Sequence, residues 1–195
     1  MKVLIACEFS GIVREAFKKR GHDAWSCDLL PTEIPGQHIQ DDVLKHLDEG
    51  WDLMIAHPPC TYLSNAGARF LYPKGELNDS RLQLGLNAKV FFTKLLNAKI
   101  DKVCIENPVP SKAFGLPQYT QTIQPYYFGH AIQKKTCLWL KNLPGLVPTK
   151  LIEKPQSTKI SGNWFNKGGK YRQRNRAKTF QGVANAMAAQ WSEGE

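Results

Sequence analysis

The sequence predicts an α/β fold, a doubly wound and mostly parallel sheet with an antiparallel edge. Three observations carry this. Short apolar runs alternate with segments of helical periodicity up to Glu106. The first apolar run leads through a glycine-containing turn into a helix. Beyond Glu106, two strand-like runs follow one another across Gly129-His130 with no helix between them, which places an antiparallel edge on the sheet.

The elements follow in order. Val3 to Cys7 reads as a buried strand, closed by the turn Glu8-Phe9-Ser10-Gly11. A helix is expected from about Ile12 to Arg20, with Ile12, Ala16 and Phe17 on one face and Gly21 as its C-terminal cap. Asp23 to Cys27 reads as the second strand, ending at Asp28, and Val43 to Glu49 as a short helix. Asp52 to Ala56 is another buried strand. Ser80 to Ala98 has the best helical periodicity, through Leu82, Leu86, Val90 and Leu95, and Val103 to Ile105 is the next strand. Thr122 to Phe128 and Thr136 to Lys141 supply the antiparallel edge. Regular periodicity disappears from Pro144 to Lys178, and a last helix is expected from Thr179 to Trp191. The chain contains no internal repeat, and its 195 residues suit a single domain.

The net charge of +9 and pI of 9.3 favour a polyanionic partner, nucleic acid first and an anionic membrane second. The five cysteines are dispersed without CxxC spacing, so neither a zinc site nor a disulfide framework is expected. No apolar run approaches the roughly 20 residues of a membrane span, and the N-terminus does not read as a signal peptide. The expected location is the cytoplasm.

Two places carry chemistry. The first is the start of the sheet, where Gly11 makes the turn and Asp28 ends the second strand, positioned to bond ribose hydroxyls. Glu8, Asp41 and Asp42 add negative charge at the same edge, which suits a cationic cofactor and repels a pyrophosphate. S-adenosylmethionine, with its sulfonium and ammonium groups, meets that requirement. The second is the pair Pro58-Pro59-Cys60 and Glu106-Asn107-Pro108, each directly after a strand. Catalytic groups gather at the carboxyl ends of strands in such sheets. A thiol on a proline-stiffened loop and a carboxylate are therefore expected at one edge, although 46 positions apart in sequence.

These blocks resemble the DNA cytosine-5 methyltransferase family, in the family's order and over nearly the whole chain. Glu8-Phe9-Ser10-Gly11 is similar to its cofactor loop, Asp28 to the ribose-binding acid and Asp42-Val43 to the acid that reads the adenine amine. Pro59-Cys60 with Ser64 resembles the nucleophile loop, and Glu106-Asn107 the glutamate motif. Gln133-Lys134-Lys135 resembles the next strand motif, and Ala184-Asn185-Ala186 the final helix motif that returns to the cofactor. The resemblance implies a Rossmann-like class I methyltransferase that uses S-adenosylmethionine. It also implies catalytic roles for Cys60, Glu106, Asn107 and Lys135, and cofactor contacts from Glu8, Phe9, Ser10, Gly11, Asp28, Asp42, Pro59 and Asn185.

The chain departs from the family's pattern in three respects. Val13 and Arg14 stand where two glycines are usual, and Lys135 and Cys137 stand where two arginines are usual. Only about 40 residues separate Cys137 from Gly182, too few for the family's separate target-recognition domain.

That short stretch is itself distinctive. Eight cations, from Lys154 to Lys178, occur with no acidic residue between Lys154 and Gln190, interleaved with Trp164, Phe165 and Tyr171. Cations with aromatics suit phosphate neutralisation and base stacking. Lys167, Lys170, Arg172, Arg174 and Arg176, together with Ser64, are the expected nucleic-acid contacts. DNA is the expected partner, RNA its alternative. Two other readings compete: an amino-methyltransferase, whose proline-rich loop would end in an aromatic where Cys60 stands, and a non-catalytic nucleic-acid-binding relative of the same fold.

Overall fold

The computed structural model describes residues 1–155 and 172–192. Its strands are β1 (Lys2–Ala6), β2 (Asp23–Cys27), β3 (His38–Ile39), β4 (Leu53–Ala56), β5 (Lys102–Pro108), β6 (Gln121–Ile123) and β7 (Thr136–Lys141). The helices are α1 (Ile12–Lys18), α2 (Asn65–Ala68), α3 (Asp79–Leu96), α4 (Arg172–Ala177) and α5 (Gln181–Ser192). The seven strands form one sheet in the order β3-β2-β1-β4-β5-β7-β6. Strands β1 to β5 run parallel, and β7 is antiparallel to both β5 and β6. This is a Rossmann-like α/β fold. The reversal has a local cause: between β6 and β7 lies only the 3₁₀ turn Pro125–Tyr127, no crossover helix, so the chain returns beside β5 in the opposite sense.

Alternation along the strands sorts the core into two layers. Val3 and Ile5 of β1 join Leu53, Ile55, Cys104 and Leu138 beneath α1 and α5, with Phe17, Met187 and Trp191. Leu4 and Ala6 join Met54, Val103, Ile105 and Trp139 beneath α3, with Phe92 and Leu95. Phe92 meets the Trp139 ring edge-on at 5.0 Å. Burying such a side chain contributes roughly 1.5–3 kcal/mol.

The helical stripe read from α3 is met at Leu82 and Leu95 and missed at Leu86 and Val90. Leu86 and Val90 are exposed, and Gly85, Phe92 and Leu95 are buried. Gly85 fixes the rotation, because a Cβ there would stand 2.1 Å from the Phe114 ring, so this turn of the helix must sit against Phe114. The short helix expected from Val43 to Glu49 is one 3₁₀ turn, Val43–Lys45. The strand expected from Thr122 to Phe128 stops at Ile123, where Pro125 cannot donate to a ladder. Strand β3 and helices α2 and α4 carry no periodicity long enough to be read from sequence. Among the described residues, no helix is long and apolar enough to cross a membrane.

Candidate active site

The sheet order reverses between β1 and β4, and the loops after their carboxyl ends enclose a cavity of about 440 Å³. Crevices of this kind are where open α/β sheets take ligands. Its wall carries Asp28, Asp41 and Asp42 and no cation, with Pro59, Tyr62 and Phe91 among the apolar residues facing them. Burial raises the Asp28 carboxyl above its ordinary range, partly offset by the backbone N–H of Leu30. Asp42 accepts from Leu44 N at 3.0 Å, so it caps the 3₁₀ turn while lining the cavity. Asp41 is held at about 2, first by the Lys45 ammonium, 2.7 Å away.

The other residues of the expected cofactor set lie elsewhere. Glu8 is buried and turned onto the start of α1, accepting from Val13 N at 2.7 Å and Arg14 N at 3.2 Å. Ser10 donates to the same carboxylate. Gly11 adopts φ 74, where a Cβ would stand 2.8 Å from Arg14 Nη2. Arg14, one of the two non-glycine replacements, is fully buried and ties the loop after β2 through Ser26 and the carbonyls of Ile34 and Gln37. It builds the loop where a glycine would only permit it. Phe9 is covered by the Arg174 guanidinium, 5.1 Å from its ring, and does not line the cavity. Asn185 is exposed on α5, accepting from Gln181.

Cys60 and Glu106 are brought to one site. Ala56 pairs with Ile105 across β4 and β5, so the next residue on each strand, His57 and Glu106, are neighbours. A carboxylate can only accept, so His57 donates Nδ1–H to Glu106 Oε2, at 2.9 Å. Asn107, on the opposite side of β5, is buried and donates to Pro58 O at 3.0 Å. It clamps the Pro58-Pro59-Cys60 loop to β5. Glu106 and Asn107 lie within the strand rather than directly after it, because β7 continues the ladder to Pro108. Ser64 is buried, its N–H bonded to Cys60 O. The cation near the site is Lys134: it lines a small cavity with Glu106 and acts on both Glu106 and Cys60, whereas Lys135 is exposed. Adjacent residues of extended chain face opposite ways, so a shift of one position exchanges the two lysines.

The two central groups titrate in opposite directions. Burial, then the Glu106 charge, raises the Cys60 thiol, with Lys134 and Arg176 pulling it back. Burial alone would raise Glu106, but the His57 hydrogen bond and the Lys134 charge outweigh it and hold the carboxyl at about 2. A carboxyl depressed on folding adds stability above its unfolded value of 4.5, and that contribution is lost as pH falls towards 2. Acid unfolding followed by circular dichroism should therefore show a loss in this window that is smaller in Glu106→Gln. A profile identical to the native one would mean that Glu106 is not held ionised by the fold.

The basic segment is only partly within the described residues. Lys167 and Lys170 lie outside them, as do the three interleaved aromatics, and Arg172 opens α4. Arg174 pairs with Glu33 at 2.9 Å, and Lys178 with the same carboxylate at 2.6 Å. The backbone carbonyl of Arg176 accepts from Lys134. Helix α4 thus joins the Lys134–Glu106 site to the loops after β1 and β2. His57 and Lys134 were not singled out from sequence. The signal for His57 was present: it directly follows a strand, the rule that located Cys60.

No protein-family model and no curated protein matches this chain. Among solved structures, a proposed DNA modification methyltransferase encoded within a prophage of E. coli is similar at 16% identity with a TM-score of 0.46. The match covers 77% of this chain and 51% of that protein, so the chain spans about half its length.

Proposed function

We propose that this protein transfers a methyl group from S-adenosylmethionine to C5 of cytosine in DNA, through a covalent adduct on Cys60. The observation that carries the reading is that Cys60 and Glu106 act on each other at the ends of adjacent strands, while Pro59, next to Cys60, lines the acid-walled cavity. That cavity suits a ligand with an adenine-like apolar part and a cationic part. A dinucleotide is disfavoured by Glu8, whose carboxylate takes the α1 amides on which such folds hold phosphate. The reversed β7 agrees with the class I sheet that the sequence resemblance implies.

C5 of cytosine is a poor nucleophile. Sulfur of Cys60 adds to C6, the thiol proton passes to Glu106, and Glu106 delivers it to N3. The C5–C6 π pair is thereby freed at C5 as an enamine. When bound, S-adenosylmethionine supplies the electrophilic methyl. A base then removes the C5 proton, the Cys60–C6 bond breaks with its pair returning to sulfur, and N3 gives up its proton. In the free protein the thiol is protonated and the carboxylate ionised. A flipped base covering Glu106 adds desolvation, which moves the carboxyl towards the acid form that the step requires. The test is incubation with labelled S-adenosylmethionine and DNA, then digestion to nucleosides. Labelled 5-methylcytosine supports the reading; label on an exocyclic amine overturns it.

Asp28 and Asp42 are expected to hold ribose and adenine. Asp28→Asn and Asp42→Asn keep the loop caps and remove the charge. Losing one charge-assisted hydrogen bond, about 1.5–3 kcal/mol, should weaken cofactor binding ten- to a hundredfold in each variant. Calorimetry giving native affinity for both would remove the cofactor from this cavity.

DNA binding should be strongly salt-dependent and weakly sequence-dependent, because phosphate contacts carry no base information. Replacing Arg172, Arg174 and Arg176 by alanine should reduce the salt slope by roughly two units, because in the native protein Arg174 is already paired with Glu33. A native slope in the triple variant would place the DNA surface elsewhere.

One observation favours a second reading, a nucleic-acid binder without catalysis: Arg174 covers the Phe9 ring that should receive adenine. The labelling experiment separates the two.

A further inference from the structure

His57 is used by no step of the chemistry above, yet it is built into the site. Its side chain is 7% exposed, Nδ1 lies 2.9 Å from Glu106 Oε2, and Nε2 is buried with no hydrogen-bond partner among the described residues. A histidine kept for packing is a poor choice at such a place. A buried ring nitrogen without a partner costs free energy, and an apolar side chain of similar volume would fill the space without that cost. The ring therefore has a use on its Nδ1 side, where the acceptor it meets among the described residues is the carboxylate.

Resting on the methyl-transfer reading, we propose that His57 is a positioning residue for Glu106: its Nδ1–H holds Oε2, which fixes the carboxyl and leaves Oε1 to carry the proton between Cys60 and N3. The proton balance is simple. The S–H bond breaks and Oε1–H forms; then Oε1–H breaks as N3–H and S–C6 form. His57 keeps its Nδ1 proton throughout. In the acid form Oε2 is the carbonyl oxygen, and a donor held on it makes the Oε1 proton easier to give up. The hydrogen bond that keeps the free carboxyl low is thus the same one that strengthens the acid. Lys134 acts on the same carboxylate by charge, the Thr136 hydroxyl also donates to it, and Cys60, Cys104 and Cys137 are the thiols that feel its charge.

Two variants test this. His57→Asn retains an N–H donor near the Nδ1 position, and His57→Leu fills the space without one. In the free protein, carbon NMR of the carboxyls should show Glu106 titrating higher in His57→Leu and close to native in His57→Asn. With DNA and cofactor, kcat should fall ten- to a hundredfold in His57→Leu and recover most of the way in His57→Asn, while both KM values stay native. Native kcat in His57→Leu overturns the proposal. So does a folded His57→Asn that recovers neither the titration nor kcat. A native protein that methylates nothing overturns the methyl-transfer reading instead; the carboxyl titration then still decides the role of His57, and an unshifted Glu106 in His57→Leu rejects it.

Discussion

Methyl transfer is expected to vanish in Cys60→Ser while cofactor affinity stays native. A serine hydroxyl is several pK units less acidic than a thiol and cannot supply the anion that adds to C6 near neutral pH. The substitution is nearly isosteric. Cys60 is half-buried and engages Ser64 through its backbone carbonyl, so the loop geometry should survive. Cys60 is also not among the residues lining the acid-walled cavity, which leaves the cofactor contacts in place. DNA carrying 5-fluorocytosine should trap a denaturation-resistant adduct with the native protein and none with the variant, because fluorine at C5 blocks release of the sulfur. Undiminished turnover by the serine variant, or trapping without Cys60, would remove the thiol from the mechanism.

Glu106→Gln is expected to lower kcat by roughly 10²–10⁴, the range over which a positioned acid contributes. The amide keeps the shape and can accept from His57 Nδ1, but it has no acidic proton to deliver to N3. The loss should appear in kcat more than in either KM. The sign with pH follows from the state of the native pair. Glu106 is ionised and Cys60 protonated over the neutral range, so the proton delivered to N3 comes from the thiol, and the native rate should fall as pH rises and the thiol loses that proton to solvent. In Glu106→Gln the relay is gone, so the small residual rate should instead rise with pH as the thiolate forms, at a lower pH than the native thiol because the Glu106 charge, one cause of the raised thiol, is gone. Single-turnover kinetics across pH measure both. A variant with native kcat would show that the adduct needs no proton from this side chain.

The parts of the site legible in the sequence were those set by local rules. Pro58-Pro59-Cys60 and Glu106-Asn107 each follow an apolar run, and the rule that functional groups collect at strand ends located both before any contact was known. Asp28 follows from the same rule and Asp42 from the family resemblance, and both line the cavity. Lys135 was chosen where Lys134 acts, because choosing between adjacent residues of extended chain requires knowing which face is turned inward. Glu8 carried charge in the right turn but not in the right direction. Whether a carboxylate there meets a ligand or caps α1 depends on the path of five residues, which composition does not constrain. Phe9 belongs to the cofactor loop by motif, and only the fold put Arg174 over its ring.

By itself, the sequence determined the α/β class, the parallel strands, the antiparallel return and the two strand-end segments that carry the candidate site. Each of these follows from periodicity or from stiff and flexible residues at element ends, and such signals survive without long-range information. The tertiary structure alone decided the order β3-β2-β1-β4-β5-β7-β6, the rotation of α3 set by Gly85 against Phe114, and the pairing of His57 with Glu106. The reason is common to all three. Which strand lies beside which, and in what register, depends on contacts between residues far apart in the chain. The hydrogen bond joining positions 57 and 106 exists because β4 and β5 are neighbours in the sheet, a relation that neither segment encodes by itself.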